Sequence, residues 1–218
     1  MTLNQELANF REQFLGQVDS ATVEKMSQAT NDLKQSGIED TSLQAGSKAI
    51  NFGLPNATGK TVDLQGLLKQ GAVVLAFYRG GWCPYCNLEL KALQNALPEI
   101  KALGANLVAV SPQTPDNSLS TAEKNELTFE VLSDVGNKVA KEYGLVFTLP
   151  ESLRPIYEKF GIDITAHNGD QTFELPVAAT YVINTDGTIA HGFIDADYTQ
   201  RLDPTEIVTA LKNLAVNV

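Results

Sequence analysis

Cysteine is scarce in this chain: two among 218 residues, Cys83 and Cys86. That leaves no spare thiols for the staples of a small secreted scaffold. Histidine is as sparse. His167 and His191 lie far from the cysteines, and one pair of cysteines supplies only half of the four ligands a structural zinc ion takes. Positive charge is also short, with 16 Lys and Arg against 26 Asp and Glu, a formal net charge of −10. Nucleic acid and anionic membrane are therefore poor partners, and the charge serves solubility. No apolar run approaches the length of a membrane span. The segment from Met1 to Glu6 has no basic stretch leading into an apolar one, so no secretory signal is read. The expected compartment is the cytosol, where a disulfide is transient and catalytic. With 43% hydrophobic and 19% charged residues and no low-complexity tract, the composition fits one globular domain with an appendage.

The two cysteines form a single motif, Cys83-Pro84-Tyr85-Cys86, directly after the apolar run from Ala72 to Tyr78 and the turn Gly80-Gly81-Trp82. Strand, turn, dithiol and helix is the expected order, with both sulfurs in the first turn of the helix. Free N–H groups and the positive end of the helix dipole favour thiolate there. Thiolate is the reactive form of cysteine. A disulfide across two intervening residues constrains the unfolded chain little, which argues against a structural bridge. A redox dithiol is preferred over inert buried thiols because of this strand–CxxC–helix setting.

Apolar positions at helical spacing over residues 3–36 predict two helices, the second capped near Asp19 or Ser20 and ended by Gly37. They belong to an N-terminal helical extension, residues 1–45, read as packing or interaction surface. Residues 46–64 read as a small hairpin, 72–78 as a strand and 84–103 as a helix that Pro98 should kink or break. A strand at 107–111, a helix near 117–126, a strand at 129–132 and a helix at 136–143 follow. Such alternation implies parallel strands. Residues 144–177 are irregular, with a short helix over 152–160 and a turn at 167–170. A hairpin turning at Asp186-Gly187 and a last helix opened by Asp203-Pro204 close the chain. The expected architecture is α/β and thioredoxin-like: a central mixed sheet flanked by helices over residues 46–218, behind the extension.

The segment Phe77-Tyr78-Arg79-Gly80-Gly81-Trp82-Cys83-Pro84-Tyr85-Cys86-Asn87-Leu88-Glu89 resembles the active-site segment of the peroxiredoxins. In that register Arg79 stands where the family has Pro, Cys83 where it has Thr, Cys86 on the peroxidatic cysteine and Glu89 on the family Glu. Leu132-Ser133-Asp134 and Thr180-Tyr181-Val182-Ile183 extend the likeness over roughly residues 46–215. The whole is most similar to the peroxiredoxin-like branch of the alkyl hydroperoxide reductase/thiol-specific antioxidant family. The resemblance implies a peroxidase acting on hydrogen peroxide or alkyl hydroperoxides, a CxxC disulfide cycle, no cofactor or metal, and recycling by a thioredoxin-type donor. It leaves room for a homodimer. Ala178 occupies the place where the family carries an Arg and thioredoxins a cis-Pro, and Pro176 is out of register for either.

Which sulfur attacks is open at this level. Family register favours Cys86, whereas helix position favours Cys83 as the more N-terminal and more exposed thiol. A thiol–disulfide oxidoreductase and a redox sensor without turnover are the competing readings. Arg79 is either a guanidinium that stabilises thiolate or a solvated loop residue. Trp82 and Tyr85 read as lids and packing, and Glu89 and Tyr78 as candidates for proton handling. His191 reads as a core or edge residue, and Asp195-Ala196-Asp197 as solvated surface.

Overall fold

The computed structural model describes residues 1–216. Its first helix, α1 (Leu3–Gln17), starts at a capping box in which Thr2 and Gln5 satisfy each other's backbone donors. Helix α2 (Ser20–Gln35) is capped by Asp19. Gly37, left-handed at φ 76°, then turns the chain into the single turn α3 (Ile38–Thr41). A hairpin of β1 (Gly53–Pro55) and β2 (Thr61–Asp63) follows, its turn held by the Asn56 side chain, which accepts from the N–H groups of Thr58 and Lys60. Next come α4 (Leu64–Leu68), β3 (Val73–Phe77), α5 (Pro84–Ala102), β4 (Asn106–Ser111), α6 (Pro115–Lys124), β5 (Glu130–Ser133) and α7 (Lys138–Glu142). After β6 (Val146–Thr148) and a 3₁₀ turn come α8 (Arg154–Lys159), α9 (Ile164–Asn168), β7 (Glu174–Pro176), β8 (Ala179–Ile183), β9 (Ile189–Ile194) and α10 (Pro204–Val216).

The central sheet has the strand order β5-β4-β3-β8-β9. Strands β3, β4 and β5 are parallel, whereas β8 runs antiparallel to β3 and to β9, so the sheet is mixed. All five residues of β3 are buried because both faces of the sheet are covered. Alternation assigns Val74, Ala76 and Tyr78 to the layer shared with α1, α5 and α10. Val73, Leu75 and Phe77 face the layer that holds Tyr143 and Tyr181.

Three expectations are corrected. Helix α5 runs without interruption through Pro98. A proline inside a helix costs roughly 3 kcal/mol. Burial of Leu90, Leu93, Leu97 and Ile100 along one face, at roughly 1.5–3 kcal/mol each, outweighs it. The irregular stretch 144–177 contains a second small sheet, in which β6 pairs antiparallel with β7. Residues 167–170 are not a free turn but the end of α9, closed by Gly169 in the left-handed region.

Candidate active site

Strand β3 delivers the chain to the turn from Tyr78 to Trp82, and the turn delivers Cys83 to the N-cap of α5. Pro84 at the first helical position needs no intrahelical N–H partner. The turn is tight. The Cys83 N–H donates to the Gly80 carbonyl at 3.1 Å, the Gly81 N–H donates to Gln113 Oε1, and Asn87 Nδ2 donates to the Gly81 carbonyl at 2.8 Å. A side chain at Gly81 would run into the Thr121 hydroxyl, and one at Gly80 into Trp82 and Gln113.

Cys83 and Cys86 are free thiols, 2% and 0% exposed. Cys83, read as the more exposed thiol, is exposed only marginally more than Cys86, because the leading helices cover it. Cys83 instead lines a cavity of about 190 Å³ walled by Phe10, Phe14 and Met26 from α1 and α2, with Trp82, Tyr157 and Phe160 opposite. Tyr85 packs edge-on against Phe10 at 5.0 Å and Tyr198 at 5.5 Å.

Two guanidinium groups converge on the dithiol. Arg79 is 3% exposed, which corrects the reading of a solvated loop residue. Its Cζ lies 5.1 Å from the Trp82 ring centre, 5.6 Å from that of Tyr157 and 4.9 Å from that of Tyr198. It donates to the Tyr157 hydroxyl, while its Nε has no partner among the described residues. Arg201 arrives from the loop between β9 and α10. Its Nη2 is 3.3 Å from Cys86 Sγ, its Nε donates to Glu89 Oε2, and its Nη1 is held by the carbonyls of Tyr198 and Gln200. Thr180 Oγ1 contacts the other Glu89 oxygen at 3.4 Å.

These neighbours divide the two thiols. The hydrogen-bonding Cys86 side chain, helped by Arg79 and Arg201, holds the Cys83 thiol down to about 6 despite burial. Burial and the adjacent Cys83 push Cys86 well above the usual thiol range. Burial likewise raises Glu89 to about 7, against the pull of Arg201. It also raises Tyr78, whose hydroxyl lies near Ser111, Thr121 and Ser118, to about 12, so that phenol stays protonated. One thiolate, one thiol and a carboxyl that titrates near neutrality thus share a site screened from water. Such a site can carry nucleophilic sulfur chemistry with local proton transfer.

The structure brings Tyr78, Arg79, Trp82, Cys83, Tyr85, Cys86 and Glu89 together. The reading of the sequence missed Arg201, Tyr157 and Tyr198. Arg201 carries no motif, being a lone cation between a polar loop and a helix cap. All described peptide bonds are trans, so Pro176 does not reproduce the thioredoxin landmark. His191 is half-buried on the edge strand β9. Asp195-Ala196-Asp197 is not a solvated surface: Asp195 pairs with Lys34 at 3.3 Å, Ala196 is buried, and its N–H donates to Glu39 Oε1. No described helix is long and apolar enough to cross a membrane.

The model of the AhpC/TSA family matches residues 45–192, which hold the whole dithiol turn. The chain belongs to the AhpC/TSA family. Among its AhpC/TSA relatives, the chain is 35% identical over 130 residues to Peroxiredoxin Q, chloroplastic, of Triticum aestivum, covering 58% of this chain and 59% of that one. It is 31% identical over 103 residues to Peroxiredoxin Bcp of Escherichia coli strain K12, covering 47% and 65%. The chain thus spans about three fifths of the length of the curated relatives it matches. In fold it is similar to Peroxidoxin BcpB from Mycobacterium tuberculosis, with a TM-score of 0.62 at 22% identity over 79% of this chain and 98% of that one. The expected thioredoxin-like architecture is therefore the one found. Helices α1 to α3 precede the stretch that the family model matches.

Proposed function

We propose that this chain is a thiol-dependent peroxidase acting on hydrogen peroxide or alkyl hydroperoxides. The observation that carries the reading is the asymmetry of the dithiol: Cys83 lines the cavity, is flanked by two guanidinium groups, and is the thiol held down to about 6. Its thiolate attacks the terminal peroxide oxygen. The O–O bond breaks, Cys83 becomes a sulfenic acid, and the departing hydroxide or alkoxide takes up a proton. Arg79 and Arg201 stabilise the thiolate and the oxygen that leaves. Cys86, one helical turn on, then attacks the Cys83 sulfur. An S–S bond forms, and Glu89 takes the Cys86 proton through the polar cluster at Arg201 and hands it to the departing hydroxide, which leaves as water. A dithiol donor of the thioredoxin type attacks the disulfide and restores both thiols. Tyr78, Trp82 and Tyr85 wall the site, and the helices of residues 1–45 complete its cavity rather than forming a detached module. Cys86, the cysteine in family register, takes the resolving role in this scheme because it is held against Arg201 and, unlike Cys83, does not line the cavity. A reducing compartment suits the cycle, the cytosol first. The peroxidase reading draws further support from relatives named as peroxiredoxins.

Stopped-flow mixing of reduced protein with peroxide, read by Trp82 fluorescence, tests this. The expected rate rises with pH through about 6, as Cys83 loses its proton, and then levels. Cys86→Ser retains one fast oxidation and Cys83→Ser does not. The reverse pattern moves the attack to Cys86. Slow oxidation beside rapid exchange with a protein disulfide makes the chain an oxidoreductase instead, and slowness in both makes it a sensor.

A further inference from the structure

The proposed cycle leaves one proton without a source, the one that the departing hydroxide or alkoxide takes up as the O–O bond breaks. Besides Cys83, five side chains with a hydrogen on nitrogen or oxygen line the dithiol cavity: Arg79, Trp82, Tyr85, Tyr157 and Tyr198. A guanidinium is not deprotonated in a protein, and the Trp82 indole only donates hydrogen bonds. Three phenols remain. Burial and the adjacent Cys83 push Tyr85 up to about 12. Burial raises Tyr198 too, and the neighbouring Tyr157 adds to the rise. Those two phenols hold their protons.

Tyr157 is placed differently. It comes from α8, inside the stretch 144–177 that carries no clear periodicity, and is 5% exposed. Its ring packs edge-on against Trp82 at 5.7 Å, and it shares a core with Met26, Leu149 and Leu153. Its phenolic oxygen accepts a hydrogen bond from Arg79 Nη2. A hydroxyl that accepts through its oxygen still has its own hydrogen to give, and no described residue takes the one on Tyr157. Negative charge that develops on this oxygen as the hydrogen leaves faces a guanidinium in a site screened from water, where such a pairing is strong.

We infer, on the peroxidase reading, that Tyr157 is the acid of the oxidation step and gives its phenolic proton to the departing oxygen. The Cys83 sulfur bonds to the terminal peroxide oxygen, the O–O electron pair moves to the second oxygen, and the Tyr157 proton follows it there. Water or an alcohol leaves, Cys83 is oxidised to the sulfenic acid, and Tyr157 stands as a phenolate against Arg79. A phenolate is a far weaker base than hydroxide or alkoxide, so the transfer runs downhill. The proton that Cys83 lost to solvent on ionising then returns to the phenolate, and no further co-reactant is needed.

The test uses reagents that differ in what leaves. Hydrogen peroxide and tert-butyl hydroperoxide expel hydroxide and alkoxide, which need a proton. Peracetic acid expels acetate, which does not. Iodoacetamide attacks the same Cys83 thiolate and expels iodide. Each is mixed at pH 7 with the reduced full chain and with Tyr157→Phe, which keeps the ring beside Trp82 and removes the hydroxyl. Rapid quenching and mass measurement give the rates. Tyr157→Phe should slow both hydroperoxides by about a hundredfold, the low end of what a positioned acid contributes. It should leave peracetic acid and iodoacetamide at the native rates. Slowing of all four reagents would make Tyr157 a prop for Arg79 and overturn the inference, as would a variant that keeps the native rate with hydrogen peroxide. The native chain gives a reading that needs no variant: D₂O should slow oxidation by hydrogen peroxide and not by peracetic acid, and equal isotope effects would overturn the inference as well. A native chain that alkylates readily yet reacts with every peroxide no faster than a free thiol would sink the peroxidase reading itself.

Discussion

At the scale of the residue, the site is a problem of buried charge. Arg201 and Glu89 are 1% and 2% exposed at their side chains, and each stands beside Cys86. An ion pair taken out of water is stable only when both members remain. Arg201→Ala should therefore cost about 3–5 kcal/mol, read from urea unfolding. The loss has a pH signature. Glu89 already has a folded-state pKa raised to about 7. Folding thus favours its protonated form, and that contribution to stability is lost as pH rises through about 7. Without Arg201 the carboxylate is more costly still, so the variant should lose more at pH 8 than at pH 6. Equal losses at both would mean that Glu89 does not sense Arg201. The two cysteines and Glu89 were legible because they sit in one motif. Arg201 was not, because a counter-ion contributed to Glu89 from 112 residues away leaves no local pattern.

At the scale of the element, the turn between β3 and α5 sets the geometry. It holds two adjacent glycines for two different reasons: Gly80 meets Trp82 and Gln113, and Gly81 meets Thr121. Gly81→Ala has no room, because the obstructing hydroxyl is itself fixed by Gln113 Nε2 at 3.1 Å and by the Asn117 carbonyl at 2.8 Å. A loss of about 1–3 kcal/mol is expected, the usual range for overpacking, together with slower oxidation of Cys83. Thermal unfolding and stopped-flow traces of the same sample would check both. The strand, the turn and the helix were readable from periodicity, since β3 is a continuous buried run and α5 carries a repeating apolar face. Strands β6 and β7 were not, since each has three residues and they pair across a gap of more than twenty. The uninterrupted α5 marks the other kind of failure, in which tertiary burial overrides the local effect of Pro98.

At the scale of the whole molecule, the leading helices belong to the core. Leu3 and Leu7 are buried in the same layer as Tyr85, Leu90 and Leu211, and Met26 joins Leu149, Leu153 and Tyr157. The amphipathic spacing of residues 3–36 announced helices. That they roof the dithiol could not be read from spacing, which is silent about the partner of an apolar face. Leu7→Ala should cost about 2–5 kcal/mol, as for other core truncations. Helical circular dichroism and Trp82 fluorescence should report one shared transition, because the helix and the site pack as one unit. Two separated transitions would make α1 and α2 an independent appendage.

The Arg201–Cys86 contact also bears on the order in which a ribosome makes the chain. Synthesis runs from the amino end, and domains acquire structure as they emerge. Cys83, Cys86 and Glu89 leave the ribosome more than a hundred residues ahead of Arg201. Until that arginine arrives, Glu89 lacks the ion-pair partner it is buried against. A nascent chain therefore carries both thiols without the finished charge cluster, which is completed only when the loop that leads into the final helix docks.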